Sequence, residues 1–310
     1  MKSAVLFSVL MTLSVMGCTK RQGSDIRSGT LTVLATESHL PLVQQLVADY
    51  HSVFSEVVVT PQGTTTRGAI VDMVNDSVQC VIVDRRLNEE ERSAVESGKL
   101  KVVETEIARD GLTVLVHPSN KLVAISMETL KAIVSGKTAL WNTVPESKLH
   151  GVIELCLTGK NSGLYELLTR HFFKLEKDAN LTAMATSQQG IIEYVATHPE
   201  ALGVVSFAAW KDTSRPANES ARKKVRPLDL LTTNAEGVQT AVSLNQRNIY
   251  DQTYPLTYSL YIYTSERMPG PAYGFSAFVA GETGQRVFLY AGLVPKTMPY
   301  RTIQLTQEQM

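Results

Sequence analysis

Short β-type runs alternate with amphipathic, helix-like segments along most of this 310-residue chain. TLTVLAT precedes HLPLVQQLVADYHSVF, in which apolar residues recur at helical spacing, and SEVVVTP precedes TRGAIVDMVND. Strands that alternate with helices predict βαβ units and mainly parallel sheets. Because the chain supplies more strands than one sheet of usual size holds, we predict two α/β lobes. Two neighbouring runs, LKVVETEIA and GLTVLVHP, are predicted to be separate strands.

The N-terminus has the layout of an export signal. Lys2 precedes an apolar stretch, residues 4–15, that is too short to span a bilayer and ends near Cys18. Residues 15–18 resemble a bacterial lipobox, whose cysteine carries lipid; a plain signal peptide with an incidental cysteine is the alternative. We predict a signal peptide at 1–17 and a polar tether at 18–27. The protein would then lie in the periplasm or at the cell surface, anchored to the membrane by lipid on Cys18.

Composition and spacing argue against several function classes. Thirty basic and thirty acidic residues leave no net charge, so we expect no nucleic-acid partner. The histidines lack metal-ligand spacing, and Cys80 and Cys156 lie in apolar runs typical of free, buried thiols. A nucleotide-binding loop at LTGKNSG would require glycine at Glu154 and serine or threonine at Asn161. With no G-x-S-x-G elbow or cofactor loop either, we predict no metal, no cofactor and no enzyme activity.

Four predicted strand-to-helix turns are rich in hydroxyl side chains: ATESH, GTTTRG, GKNSG and ATSQQG. A helix start exposes unpaired N–H groups and a partial positive charge, so it can bind an anion. In parallel α/β sheets these starts gather at the carboxyl ends of the strands, where ligands bind. Serine and threonine are also the commonest helix caps, which explains any one turn by itself. The combination, with glycine in three turns, favours an anion site.

Several longer segments of the sequence resemble motifs of one protein family, and they occur in the same order as in that family. They are ATESHLPL, QGTTTRGAI, CVIVDRRLNEEE, LVAISMETLKAIVSGKTALWNTV, GKNSGL and QQGIIEYVATHPEALGVV. The stretch SGKTALW is the most specific of them. Together they resemble the PstS-type phosphate-binding proteins of bacterial ABC importers, over about residues 31–305.

That resemblance implies a two-lobed type II periplasmic-binding-protein fold, with two mainly parallel sheets flanked by helices and two crossing strands as hinge. Lobe one would comprise residues 28–111 and 255–310, and lobe two residues 112–254. A monomeric protein would capture inorganic phosphate or a related oxyanion in the cleft and deliver it to the permease subunits of an ABC transporter. The alternative is the same fold used for phosphate sensing, or for binding tungstate, molybdate or a phosphorylated small molecule.

The resemblance also implies which residues line the cleft. The matching positions are Ser38, Thr66, Asp84, Ser162 and Gly163, with Thr65 beside Thr66 in the hydroxyl-rich turn. Asp84 would accept a hydrogen bond from the proton that phosphate retains near neutral pH, and would thereby disfavour sulfate. Its alternative role is a cap or an ion pair with Arg85 or Arg86.

One departure from the family adds a negative charge to the cleft. Glu37 stands where the family has a threonine, and a carboxylate about 4 Å from an anion is repelled by roughly 4 kcal/mol per unit charge at an effective dielectric of about 20. We include Glu37 among the candidate site residues. It must turn away, pair with an arginine or receive a proton from the ligand.

A second departure removes a positive charge. Thr158 stands where the family has an arginine, the strongest bidentate partner for phosphate, and Leu164 replaces a threonine. Arg67, Arg85 and Arg86 are candidates to replace that arginine, because each follows directly on a predicted cleft loop. Their alternative role is in surface salt bridges.

Overall fold

The computed structural model describes residues 26–212, 216–233, 237–266 and 269–298. It is a mixed α/β protein whose strands form one continuous, branched sheet, with helices packed against it. The predicted signal peptide and Cys18 lie outside the described residues. Within the ranges given, no helix is both long and apolar enough to cross a bilayer.

The sheet of lobe one is built around three parallel strands. Across the sheet the order is β2 (Val57–Thr64), β1 (Gly29–Thr36), β3 (Cys80–Val83), β11 (Thr257–Thr264) and β4 (Val103–Val116). β11 runs antiparallel to both of its neighbours. β2 lies at the edge, where Pro61 is tolerated because no described strand pairs with the other side of β2.

Helices cover both faces of the lobe-one sheet. On one face lie α1 (Leu40–Val53), α10 (Pro271–Ala280) and α11 (Glu282–Tyr290), and on the other α2 (Thr66–Val74) and α3 (Glu89–Ser97). Adjacent strand residues point to opposite faces, so Val33 packs in one cluster and Leu34 in the other. A strand covered on both faces is apolar throughout, which explains the uninterrupted CVIV of β3.

Lobe two repeats this plan with one larger core. β6 (Glu154–Thr158) runs parallel to β7 (Ala183–Ala185) and β8 (Ala201–Ser206), while β9 (Arg226–Thr233) pairs with β5 (Ala124–Ser126) and β10 (Gln239–Val242). Its helices are α4 (Met127–Val134), α5 (Gly163–Phe173), α6 (Gln188–Val195), α7 (Phe207–Lys211) and α8 (Pro216–Arg222). The short helix α9 (Gln246–Tyr250) and strand β12 (Val294–Pro295) pack together at the junction with lobe one.

Strand β4 runs through both lobes, which corrects one prediction. LKVVETEIA and GLTVLVHP are not separate strands, because one strand of 14 residues continues through both. Its first half pairs with β11 and its second half with β8 and β9. Asp110 resembles a turn residue, but it is fully buried and accepts hydrogen bonds from Gly111 N at 2.7 Å and the Tyr258 hydroxyl at 2.9 Å. These bonds satisfy a polar side chain within an extended backbone.

Three hydrophobic clusters each lie mainly in one lobe, and a small fourth one spans both. The largest contains residues from Leu112 to Leu256, two others lie on the two faces of the lobe-one sheet, and the fourth joins Phe207 and Ile249 to Val294. Cys80 and Cys156 are free, buried thiols in different cores, as predicted. The mixed α/β class and the two-lobed architecture are confirmed, while the residue boundaries of the lobes stay a prediction. The two predicted sheets are joined into one, because β4 and β11 add antiparallel pairs between the parallel strands of the lobes.

Candidate functional site

The ends of β1 and β3 and the start of α2 meet at the boundary between the lobes. The Thr36 hydroxyl, at the end of β1, lies 3.0 Å from the Thr66 hydroxyl at the start of α2. Thr66 donates in turn to Asp84 Oδ1 at 2.6 Å. Because a threonine has one hydroxyl hydrogen, Thr36 is the donor in the first of these bonds. This chain of buried side chains fixes Asp84 just beyond the end of β3.

Gly163 brings the start of α5, from lobe two, against these side chains. A Cβ added at this position would lie 2.5 Å from Thr36 Cγ2 and 2.7 Å from Asp84 Oδ2. Both separations are shorter than real Cβ contacts, so the approach requires glycine. Ser162 caps the helix, since its Oγ accepts from Tyr165 N at 3.2 Å.

Glu37 reaches from lobe one to the same helix start. It opens a short 3-10 turn, Glu37–His39, and its Oε1 accepts a hydrogen bond from Gly163 N at 2.9 Å. The first N–H groups of a helix are unpaired and partly positive, so a carboxylate is stabilised there. Within the described part of the chain, Glu37 thus faces the cleft, and its partner is a backbone N–H rather than an arginine.

Asp84 is a buried carboxyl group, and Glu37 is a half-buried one. Burial raises the pKa of Glu37, backbone hydrogen bonds at Glu37 and Gly163 oppose that rise, and the charge of Asp84 adds to it. The side chain of Asp84 is only 2% exposed, and burial raises its pKa against the opposing hydrogen bond from Thr66. Buried carboxyl groups with shifted pKa values that face one another in a cleft indicate a functional site.

Three buried polar atoms at this point have no hydrogen-bond partner among the described residues. They are Glu37 Oε2, Ser38 Oγ and Asp84 Oδ2. Buried polar groups in proteins are nearly always paired, so each of these atoms needs an explanation. A small polar ligand held between the lobes, with donors for the carboxylates and an acceptor for Ser38, would pair all three.

Comparison with known protein families gives one match that covers most of the chain. The PBP superfamily domain matches residues 21–283. The chain belongs to the PBP superfamily. Among curated members, the phosphate-binding protein PstS of Staphylococcus saprophyticus is 24% identical over 245 residues, which cover 77% of this chain and 71% of that protein. PstS of Staphylococcus aureus is 22% identical over 237 residues, which cover 73% of this chain and 65% of the relative.

Solved structures with the PBP fold match nearly as much of the chain. A Clostridium perfringens protein described as a phosphate ABC transporter substrate-binding protein, with bound phosphate, aligns with a TM-score of 0.71. Its identity is 17%, and the match covers 87% of this chain and 100% of that one. An ABC-type phosphate transport receptor from Vibrio cholerae aligns with a TM-score of 0.68 and 18% identity, over 86% of this chain and 100% of the other. At such identities these likenesses establish the fold.

The three candidate arginines of this PBP-superfamily chain lie in different surroundings. Arg85 is 7% exposed and pairs with Glu91 at 2.7 Å and with Glu166 of lobe two at 2.5 Å. Arg86 is 58% exposed and pairs with Glu104 at 3.1 Å, and Arg67 is exposed on α2. Four of the five guanidinium N–H groups of Arg85 are engaged by Glu91, Glu166 and its neighbour's carbonyl. Arg85 therefore links the two lobes by pairing with protein carboxylates, Glu91 in lobe one and Glu166 in lobe two.

The hydroxyl-rich turns of this PBP-superfamily chain serve partly as ordinary helix caps. Thr65 Oγ1 accepts from Gly68 N at 3.0 Å, and Ser187 Oγ accepts from Gly190 N at 3.1 Å. Ser162 does the same for α5, while its Oγ also lies 2.5 Å from Thr158 Oγ1. Thr36 makes no side-chain cap bond. Its hydroxyl belongs instead to the bonded chain that ends at Asp84.

A buried polar network beside the cleft was not predicted from the sequence. His39 Nε2 lies 3.3 Å from Asp110 Oδ2, and the Tyr258 hydroxyl donates to the same oxygen at 2.9 Å. Ala208 N, at the start of α7 in lobe two, also points to this oxygen at 3.5 Å. The network joins the Glu37 turn, the crossing strand β4 and lobe two. No sequence signal indicated it, because Asp110, between Arg109 and Gly111, looks like a turn residue.

Proposed function

We propose that this chain is an extracytoplasmic solute-binding protein that captures phosphate between its two lobes and delivers it to an ABC importer. It would have no catalytic reaction of its own. The observation that best supports this proposal is that Gly163, at the start of α5, lies against Asp84 and Thr66 of lobe one. Gly163 N itself donates to Glu37, but the partial positive charge of the helix start still favours an anion, and the Asp84 carboxylate beside it accepts from the proton that phosphate retains.

The names of related proteins support phosphate as the ligand. The curated relatives from two Staphylococcus species are phosphate-binding proteins, and the Clostridium perfringens structure holds phosphate. These proteins are 24%, 22% and 17% identical to this chain. We therefore propose phosphate as the ligand and an ABC transporter as the partner of this chain, on the basis of those names together with the residues of its own cleft.

Ligand-dependent thermal stability tests the proposal. The chain without residues 1–18 is melted alone and with phosphate, arsenate, sulfate, tungstate or molybdate. A ligand at 100 times its dissociation constant adds about 2.7 kcal/mol to the free energy of unfolding. We expect that stabilisation with phosphate and arsenate, and little with sulfate at the same concentration. If only tungstate or molybdate stabilises the protein, that oxyanion and not phosphate is the ligand. If no anion changes the melting temperature, the assigned site is refuted.

Membrane anchoring is the second part of the proposal. The lipobox-like residues 15–18 and the polar tether support lipid on Cys18, with the folded part of the chain held outside the cytoplasm as a monomer. We expect Cys18→Ser to move the protein from the membrane fraction to the soluble fraction, with Cys80→Ser as a matched control that stays with the membrane. Equal fractionation of Cys18→Ser and the parent would contradict the anchor.

A further inference from the structure

Two carboxylates converge on one residue of the opposite lobe. Glu37 Oε1 lies 2.9 Å from Gly163 N, and Asp84 Oδ2 would lie 2.7 Å from a Cβ on the same residue. The helix start therefore positions the Glu37 carboxylate through Oε1 and leaves its other oxygen available. In the same way, Thr66 occupies Asp84 Oδ1 and leaves Oδ2. Each carboxylate offers one oxygen that has no partner among the described residues.

An ionised carboxylate can only accept hydrogen bonds, so each of these oxygens requires a donor. The nearby Thr66 cannot provide one, because its hydroxyl hydrogen is already given to Asp84 Oδ1. Ser38 has a single hydroxyl hydrogen and can serve at most one oxygen. A ligand that satisfies both carboxylates must therefore bring two donors of its own where Ser38 donates to the ligand, and one where Ser38 donates to a carboxylate or a carboxyl itself carries a proton.

The carboxylates around this pair disfavour an anion of higher charge. Glu166 faces Asp84 from α5 with a further negative charge, whereas His39 on the 3-10 turn acts on both Glu37 and Asp84 in the opposite sense. Asp110 on β4 and Tyr258 on β11 join His39 in the network behind Glu37. Arg85 is held by Glu91 and Glu166. Thr158 occupies the position where a guanidinium was expected. A second negative charge on the ligand would double its repulsion from both carboxylates.

We propose that Glu37 is a specificity-determining residue that, together with Asp84, makes the cleft bind phosphate with two protons. The inference rests on the proposed function and names the form of phosphate that the same site selects. In the monoanion H2PO4−, one P–OH donates to Glu37 Oε2 and the other to Asp84 Oδ2. The complex holds the same number of protons if one of them lies on a carboxyl group. The proton count of the complex is therefore the property that Glu37 controls.

This count determines how affinity changes with pH. Above the second ionisation of phosphate, near neutral pH, the free ligand is mainly HPO4 2−, and binding must take up one proton from water. Affinity for phosphate should then approach a tenfold fall per pH unit, which gives about twentyfold from about pH 7.5 to about pH 9. In Glu37→Gln the amide donates a hydrogen bond, so the dianion is accepted and the affinity should stay nearly constant over that range.

Calorimetry in two buffers with different heats of ionisation, at about pH 8.5, counts the proton directly. We expect close to one proton taken up per phosphate bound by the parent and close to none by Glu37→Gln. Glu90→Gln makes the same chemical change at an exposed position of α3 and should behave like the parent. Circular dichroism verifies folding, and Glu37→Thr is the second variant if the glutamine variant does not fold.

The possible results separate the inference from the proposed function. A parent protein that binds phosphate with constant affinity above neutral pH, without proton uptake, overturns the role of Glu37 and leaves phosphate capture intact. Proton uptake that persists in both Glu37 variants also overturns it. A parent protein that binds no phosphate at any pH refutes the proposed function itself.

Discussion

Gly163→Ala is expected to weaken phosphate binding by about 5- to 150-fold. The added Cβ would lie 2.5 Å from Thr36 Cγ2 and 2.7 Å from Asp84 Oδ2, so the lobes could no longer approach to their present separation. Inserting one carbon into a well-packed contact costs about 1–3 kcal/mol, which corresponds to that range of dissociation constants. Since the lobes can part to relieve the clash, the loss should appear in affinity more than in the melting temperature of the ligand-free protein.

Gly159→Ala is the matched control. This glycine lies in the same turn of lobe two, but a Cβ there would meet only Met184 Sδ at 3.4 Å, which is an ordinary contact. Calorimetric titration with phosphate should give parent-like affinity for Gly159→Ala and the reduced value for Gly163→Ala. If both variants bind like the parent, the close approach of α5 to Asp84 does not form part of the bound state.

The fold was predictable from sequence where the controlling interactions are local. The helical spacing in α1 and the apolar run of β3 are properties of consecutive residues, and both elements occur where the pattern placed them. β4 was divided wrongly because Asp110 looks like a turn residue. Its partners His39 and Tyr258 are 71 and 148 residues away in the chain. No local pattern reveals that these partners keep the strand extended.

The candidate site shows the same limit. The motifs indicated Thr66, Asp84 and Gly163, and the structure brings these residues together at the lobe boundary. The orientation of Glu37 was not predictable, because it depends on the position of an N–H group 126 residues further along the chain. The sequence therefore left three possibilities open for Glu37: it turns away, pairs with an arginine or receives a proton from the ligand. The contribution of each residue to binding stays a prediction.

Arg85→Met is expected to lower the free energy of unfolding by about 3–5 kcal/mol near neutral pH. The guanidinium is 7% exposed and serves Glu91 of lobe one and Glu166 of lobe two. Its removal leaves Glu91 without its counter-charge and Glu166 with Arg170 alone, which pairs with it at 2.6 Å, and breaking a buried ion pair costs about that amount. Urea unfolding followed by circular dichroism measures the change. Arg286→Met is the control, because its pair with Glu282 is exposed on both sides and such pairs contribute about 0–1 kcal/mol.

The pH dependence of that difference tests the cause. Burial raises the pKa of Glu91, but hydrogen bonds from Arg85 and Asn88 N and the charge of Arg85 outweigh burial, so this pKa lies below its ordinary value. A lowered folded-state pKa gives stability that is fully present above the unfolded pKa, about 4.3, and is lost as pH falls through the folded value. Because the unfolded chains titrate alike, the gap between parent and Arg85→Met should be constant near neutral pH. It should shrink as the pH falls from the Glu91 pKa of the folded variant, which the loss of Arg85 raises, to the lower pKa of the folded parent. A gap that stays unchanged in acid would mean that the hydrogen bond from Arg85 to the Arg86 carbonyl, or a change in packing, causes the loss, and that the carboxylates contribute little.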